Sequence, residues 1–308
     1  MNKTQDRFRG CLLGLAVGDA LGTTLEFQPR GHFMPITDMQ GGGPFGLHAG
    51  EWTDDTSMAM CLASSLLDCG HFDAHDQMQR YCRWRDEGYW SSTGQCFDIG
   101  NTVNQALNAY QRHGNPYAGS NDPWMAGNGS LMRLAPIPLF YFSDTDAAEH
   151  FAGESSKTTH GAAECVDACR LFARQLIRAL AGQDKASVLW GDAKRFKGAP
   201  KIQQLADDDY RDKDESAIRG SGYVVESFQA ALWSFATTDN FADAVLRAAN
   251  LGDDADTTAA ICGQISGAYY GLEAIPDHWQ KCLAMREDIK GIADRLYLAS
   301  QSRRAESY

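Results

Sequence analysis

Apolar residues recur along this chain at helical spacing. Met58, Leu62 and Leu66 stand four apart. Cys169, Phe172, Leu176 and Leu180 follow steps of three and four, as do Val225, Phe228, Leu232 and Phe235. Each set draws a stripe down one side of a helix, so each predicts a helix with a core-facing side. Sustained alternation of apolar and polar positions, the mark of a half-buried strand, is scarce. The pattern predicts an all-α fold in a single compact domain over residues 1–308. Two connectors stand out. One is glycine-rich, from Gly41 to Gly46; the other, around 183–220, is charged and almost wholly ionic over 207–215. The second predicts an exposed insert of loops or short helices, not a domain boundary.

Two stripes of small residues sharpen this picture. Gly10, Gly14, Gly18 and Gly22 are spaced by four, and so are Ala259, Gly263, Gly267 and Gly271. Four-residue spacing is one face of a helix. Glycine there costs up to about 1 kcal/mol relative to alanine. Two such faces predict helices whose backbones approach closely in the core. Asp19 and Gln264 within the stripes exclude a membrane-embedded pair.

Composition and charge then remove whole classes of function. The chain has 308 residues, 44% of them hydrophobic, enough for a full core. Its 28 basic and 40 acidic residues leave a net charge of −12. That excess argues against nucleic acid and against an anionic membrane surface as partners. The nine cysteines are odd in number and lack metal-finger spacing, a reduced, intracellular pattern. The apolar run from Cys11 ends at Asp19, too short to span a membrane and without a cleavage pattern. The expectation is a cytoplasmic protein with no membrane span.

Part of the acid is organised. Thr53-Asp54-Asp55-Thr56 precedes the Met58–Leu66 helix, and Asp253-Asp254-Ala255-Asp256-Thr257 precedes the second small-residue helix. Acids and hydroxyls suit helix starts as caps and dipole partners. Such crowding of oxygens equally suits hard divalent cations, and two clusters suit a two-metal site. Spacing excludes an EF-hand. Gly127-Asn128-Gly129-Ser130 reads either as an ordinary turn or as a phosphate-holding loop opening a helix, though not of the Walker type. His160, before an apolar-periodic helix, and Asp98 are each ambiguous alone.

Taken in order, these segments resemble the ADP-ribosylglycohydrolase family, of the dinitrogenase-reductase-activating type. The resemblance runs from Arg9–Gly14 through Gly18–Gly22, Glu26, Gly41–Gly46, Glu51–Thr56, Asp98–Thr102, Gly127–Pro136, Thr158–Gly161 and Gly222–Val224 to Gly252–Thr258. It implies an all-α fold with a central dinuclear metal cleft. It implies two Mg²⁺ or Mn²⁺ ions held by Thr53, Asp54, Asp55, Asp254, Asp256 and Thr257. It implies Glu26 at the metal site and Asp98 placing the target group. It implies Asn128, Gly129, Ser130, Met132, His160 and Tyr223 against the nucleotide sugar. Asp253 departs from the family pattern, where many members have glycine. The implied partners are an ADP-ribosylated protein and the cognate ADP-ribosyltransferase.

The chemistry of the residues agrees with hydrolysis of the N-glycosidic bond of ADP-ribosyl-arginine, reversing a transferase or toxin. A protein of charge −12 repels the ADP-ribose dianion unless metal charge is present locally. Glu26 or Asp55 would transfer the proton, and Asp98 would orient the cationic guanidino group. The competing readings are hydrolysis of serine-linked or free ADP-ribose derivatives, a non-catalytic inhibitor or immunity-like protein that binds ADP-ribose or the transferase, and a two-metal phosphohydrolase. The scarcity of Lys and Arg near the acids argues against the last.

Overall fold

A computed structural model describes residues 2–207 and 210–306, with the side chains of 304–306 left aside. Asp208 and Asp209, within the ionic stretch expected at 207–215, lie outside the described residues. The first helices are α1 (Lys3–Gly22), α2 (Asp54–Cys69), α3 (Ala74–Glu87), α4 (Asn101–His113) and α5 (Pro136–Phe140). Next come α6 (Thr145–Lys157), α7 (Ala163–Leu180), α8 (Lys185–Trp190), α9 (Pro200–Ala206) and α10 (Val224–Ala236). The chain ends with α11 (Phe241–Ala249), α12 (Ala255–Tyr270), α13 (Asp277–Cys282) and α14 (Arg286–Glu306). Among the described residues there is no strand, only three isolated bridges. The three apolar stripes lie on α2, α7 and α10, and all their residues are buried or nearly so.

The two small-residue stripes meet as an antiparallel seam between α1 and α12. Gly10 faces Gly267, Gly14 faces Gly263, Gly18 faces Ala259 and Gly22 faces Ala255. A methyl group built on any of the four α1 glycines would lie under 3.0 Å from the facing carbonyl oxygen. Only glycine admits two backbones this close, and that contact offsets its cost in a helix. Phe8 closes the outer end of α1 between the Phe142 and Tyr297 rings, 5.3 Å from each. The inner end of the seam brings the C-terminus of α1 to the N-terminus of α12, where the acids lie.

Around 183–220 the chain forms α8, α9 and a short 3-10 turn at Glu215–Ala217. Val188, Leu189, Phe196, Ile202, Leu205 and Tyr210 from this stretch are buried. Asp192 is only 3% exposed and is held by Arg174 (2.9 Å) and Arg178 (2.7 Å). Among the described residues all nine cysteines are free, and Cys165 and Cys169 are core residues on α7.

Candidate active site

Both acidic segments stand at helix starts, but their own side chains do not cap those helices. Thr53 and Asp254 occupy the N-cap positions of α2 and α12, and neither makes a side-chain capping bond. The capping is done from α1 and the turn after it. Asp19 accepts from the backbone N–H of Thr53 (2.9 Å) and Thr56 (3.0 Å), and from both hydroxyls (2.8 and 2.6 Å). Glu26 Oε2 accepts from the N–H of Ala255 (2.9 Å) and Asp256 (3.4 Å). Donors at the start of both helices are thereby satisfied by residues far away in sequence. Asp54, Asp55, Asp254 and Asp256 keep carboxylate oxygens that capping does not use.

These acids converge. Asp19, Asp55 and Asp256 each offer a carboxylate oxygen within 4.8 Å of the others, and so do Glu26, Asp254 and Asp256. Asp256 belongs to both trios. The Thr53 hydroxyl faces Asp55 (3.3 Å) and Asp256 (3.4 Å). Asp254 accepts from Asn128 Nδ2 at 2.9 Å. Asp256 accepts from the N–H of Thr257 at 2.6 Å, and the Thr257 hydroxyl points to the Met132 sulfur. Asp54 lines the cleft but lies outside both trios.

No lysine or arginine of the described residues forms an ion pair with these carboxylates. Burial, reinforced by neighbouring negative charge, therefore raises their affinity for protons. Asp55 is driven well above the ordinary carboxylate range by burial and then by Asp19 and Asp254. Asp256 is raised likewise, with Glu26 the first of its repelling neighbours. Glu26 is pushed up to about 8 by burial and Asp254. Asp98 is pushed up to about 7, mainly by burial. The fully buried Asp55 Oδ1 has no hydrogen-bond partner among the described residues. Oxygen donors, an unsatisfied buried carboxylate oxygen and uncompensated charge together fit a hard divalent cation.

Glu26, Asp254 and Asp256 form the floor of a cleft of about 370 Å³, and Asp19 and Asp55 lie buried beneath it. Its walls include Phe27, Asp98, Gly127, Asn128, Gly129, Met132 and His160, and the first turn of α4 from Gly100 to Val103. Ser130 departs from expectation. Its hydroxyl turns inward and accepts from Ser156 (2.8 Å) and Cys169 (3.5 Å). The segment after it is also not a helix. Turns run through Arg133, and α5 starts only at Pro136. Tyr223 lines a neighbouring groove with Trp124, Glu164 and Lys201, which meets the first cleft at Thr102 and Gly127. Asp253 is exposed and turned away from the acids, beside Arg30 and Arg219. Its φ of +58° explains why glycine suits this position, and aspartate tolerates it.

Sequence reasoning missed three parts of this site. Asp19 is the sole acid in an otherwise apolar half-helix, and that isolation was its only signal. The uncapped N-terminus of α4 points backbone donors along the cleft wall, a setting that favours anions. Phe27 stands 63% exposed on the rim with φ of +62°, rare for an aromatic residue.

The comparisons with known proteins identify the family and the fold. The ADP-ribosylglycohydrolase family model matches residues 1–306. An ADP-ribosylarginine hydrolase, Tri1, from Pseudomonas putida (strain GB-1) is 45% identical over 292 residues, spanning 95% of this chain and 78% of that protein. The ADP-ribosyl-(dinitrogen reductase) glycohydrolase of Rhodospirillum rubrum is 31% identical over 290 residues, 91% of each chain. A solved ADP-ribosylglycohydrolase-related protein complex superposes with a TM-score of 0.87 at 42% identity, over 97% of this chain and 100% of that one. With an all-α fold, an acid-floored cleft and a family match along nearly its whole length, this chain belongs to the ADP-ribosylglycohydrolase family.

Proposed function

We propose that the protein hydrolyses the bond between ADP-ribose and the guanidino nitrogen of a modified arginine, in the cytoplasm, reversing the work of an ADP-ribosyltransferase. The observation that carries this reading is the acid floor itself. Asp19, Asp55 and Asp256, and Glu26, Asp254 and Asp256, would hold two Mg²⁺ or Mn²⁺ ions, with Thr53, Asp54 and Thr257 beside them. Bound there, the ions supply local positive charge for an anionic substrate and polarise water and ribose hydroxyls.

The remaining steps belong to the chain's own residues. Water adds to the anomeric carbon, the carbon–nitrogen bond breaks, and its electrons stay with the guanidino nitrogen, which takes a proton. Glu26 is suited to handling that proton. Its Oε2 is committed to the start of α12, and the residue lines the cleft. Asp55 is sealed beneath the floor, so we assign it to metal holding and not to proton transfer. Asp98, on the cleft wall, would orient the cationic leaving group. Asn128 holds Asp254 in place, while Gly127, Gly129 and the first turn of α4 present backbone to the diphosphate. The neighbouring groove with Tyr223 and Trp124 extends the site for the rest of the nucleotide.

A non-catalytic binder of ADP-ribose would have no use for the five acids of the two trios, mutually repelling and uncapped by cations. The test is mass analysis of products from an ADP-ribosyl-arginine peptide with Mg²⁺. Free ADP-ribose and unmodified arginine are expected, and Asp256→Asn should lower the rate on the order of a thousandfold. Intact peptide after incubation with the wild-type protein and either metal would refute hydrolysis.

A further inference from the structure

The residues behind the cleft wall decide how His160 behaves. Arg133 is fully buried, and none of the described carboxylates pairs with it. Its guanidinium lies over the Tyr81 ring, 4.7 Å from the centroid. Its Nη2 donates to Thr159 Oγ1 at 2.8 Å, and at 3.4 Å to Thr158 Oγ1 and the Ser155 carbonyl. The same Thr159 Oγ1 meets His160 Nδ1 at 2.8 Å.

Donor and acceptor chemistry orders these contacts. An arginine only donates, so Thr159 Oγ1 accepts from Arg133. The hydroxyl carries a single proton and, among the described residues, the acceptor in reach of it is His160 Nδ1. An imidazole nitrogen that accepts is unprotonated, so a Thr159 hydroxyl that donates to Nδ1 puts the ring proton on Nε2. Burial, with the Arg133 charge behind it, holds the imidazole down to about 3, which keeps the ring from taking a second proton.

The other edge of the ring faces the cleft. His160 lines the cleft, although only 2% of the residue is exposed. Its Cε1–Nε2 edge lies along the Gly127–Gly129 turn. A Cβ at position 129 would come within 2.8 Å of Cε1 and 3.2 Å of Nε2. Glycine at 129 therefore keeps that edge clear. Among the described residues, none accepts a hydrogen bond from Nε2.

We propose that Arg133 and Thr159 are positioning residues that fix His160 as its Nε2–H tautomer, aimed as a hydrogen-bond donor at an acceptor oxygen of ADP-ribose lying along the Gly127–Gly129 turn. This deepens the proposed function and rests on it for the identity of the ligand, though not for the relay. It assigns His160 to substrate holding. Neither ring nitrogen is free to act as a base, since Nδ1 is occupied and Nε2 already carries a proton.

The test pairs a spectroscopic signature with an affinity. Nitrogen-15 NMR of the wild-type protein should show a protonated Nε2 and a bare Nδ1 for His160 between about pH 5 and 8. Thr159→Val should yield a mixture of tautomers and weaken ADP-ribose binding, measured by calorimetry, about tenfold. Thr159→Ser keeps the hydroxyl and should restore both. A wild-type ring protonated on Nδ1, or a folded Thr159→Val protein with unchanged tautomer and affinity, overturns the proposal. If Thr159→Val does not fold, the wild-type spectrum and the serine variant still decide it. A wild-type protein with the expected tautomer but no affinity for ADP-ribose overturns the ligand assignment and the proposed function, while the relay stands.

Discussion

Asp192 and Asp55 are both buried acids among other charged groups, and they titrate in opposite directions. Burial alone would raise Asp192, yet hydrogen bonds and charge from Arg178 and Arg174 bring it below the ordinary range. Asp55 is raised well above that range by burial, and its charged neighbours Asp19, Asp254, Asp98 and Glu26 push it the same way. Burying a carboxylate does not make a functional site, since a fold can compensate the charge with arginine. The cleft cluster is distinguished by the lack of that compensation. Arginines at Asp192 lock α7 to the chain after α8. At the cleft, the fold gathers the five acids of the two trios and leaves the counter-charge to come from outside.

This contrast gives opposite signs for the same substitution. Asp192→Asn takes the carboxylate from Arg178 and leaves Arg174 with Glu149, and should lower stability by about 2–3 kcal/mol in chemical denaturation. Asp55→Asn in metal-free protein removes a repelled charge and should leave stability unchanged or raised. Equal losses at the two positions would break the comparison. The seam between α1 and α12 lies under the unpaired cluster and fixes its spacing. Gly14→Ala places a methyl against the Gly263 carbonyl and should cost about 1–3 kcal/mol in thermal or denaturant unfolding.

The contrast also sets the pH dependence of metal-free protein. Glu26 rises from an ordinary 4.5 to about 8, and Asp98 from 3.8 to about 7. The folded chain then binds more protons than the unfolded chain between these limits, so stability falls as pH rises. The full contribution is present below about pH 4 and is lost as pH climbs through about 7 to 8. A lower melting midpoint at the alkaline end is expected, and Mg²⁺ should abolish the slope. Asp192 contributes in the reverse sense, losing stability only at acid pH.

Much of the fold was legible because helical periodicity is local. The stripes at Met58–Leu66, Cys169–Leu180 and Val225–Phe235 needed no partner to be read. The glycine stripes announced close packing, and their residues do face each other. The acidic segments showed that oxygens crowd two helix starts, but not who caps them. That depends on Asp19 and Glu26, which reach their targets through the tertiary fold. Ser130 and Tyr223 were placed by motif, and a motif does not say which way a side chain turns. The charge of 183–220 hid the apolar residues that anchor it, because charged and buried positions alternate over helices too short to show a period.

The central claim is that the cleft acids are short of cations and bind them. Titrating metal-stripped protein with Mn²⁺ by calorimetry tests it most directly. The account predicts two equivalents per chain, with binding weakened or lost at both in Asp256→Asn, the residue common to both trios. A wild-type chain that takes up no Mn²⁺, or an Asp256→Asn chain that binds it as the wild type does, would contradict the account.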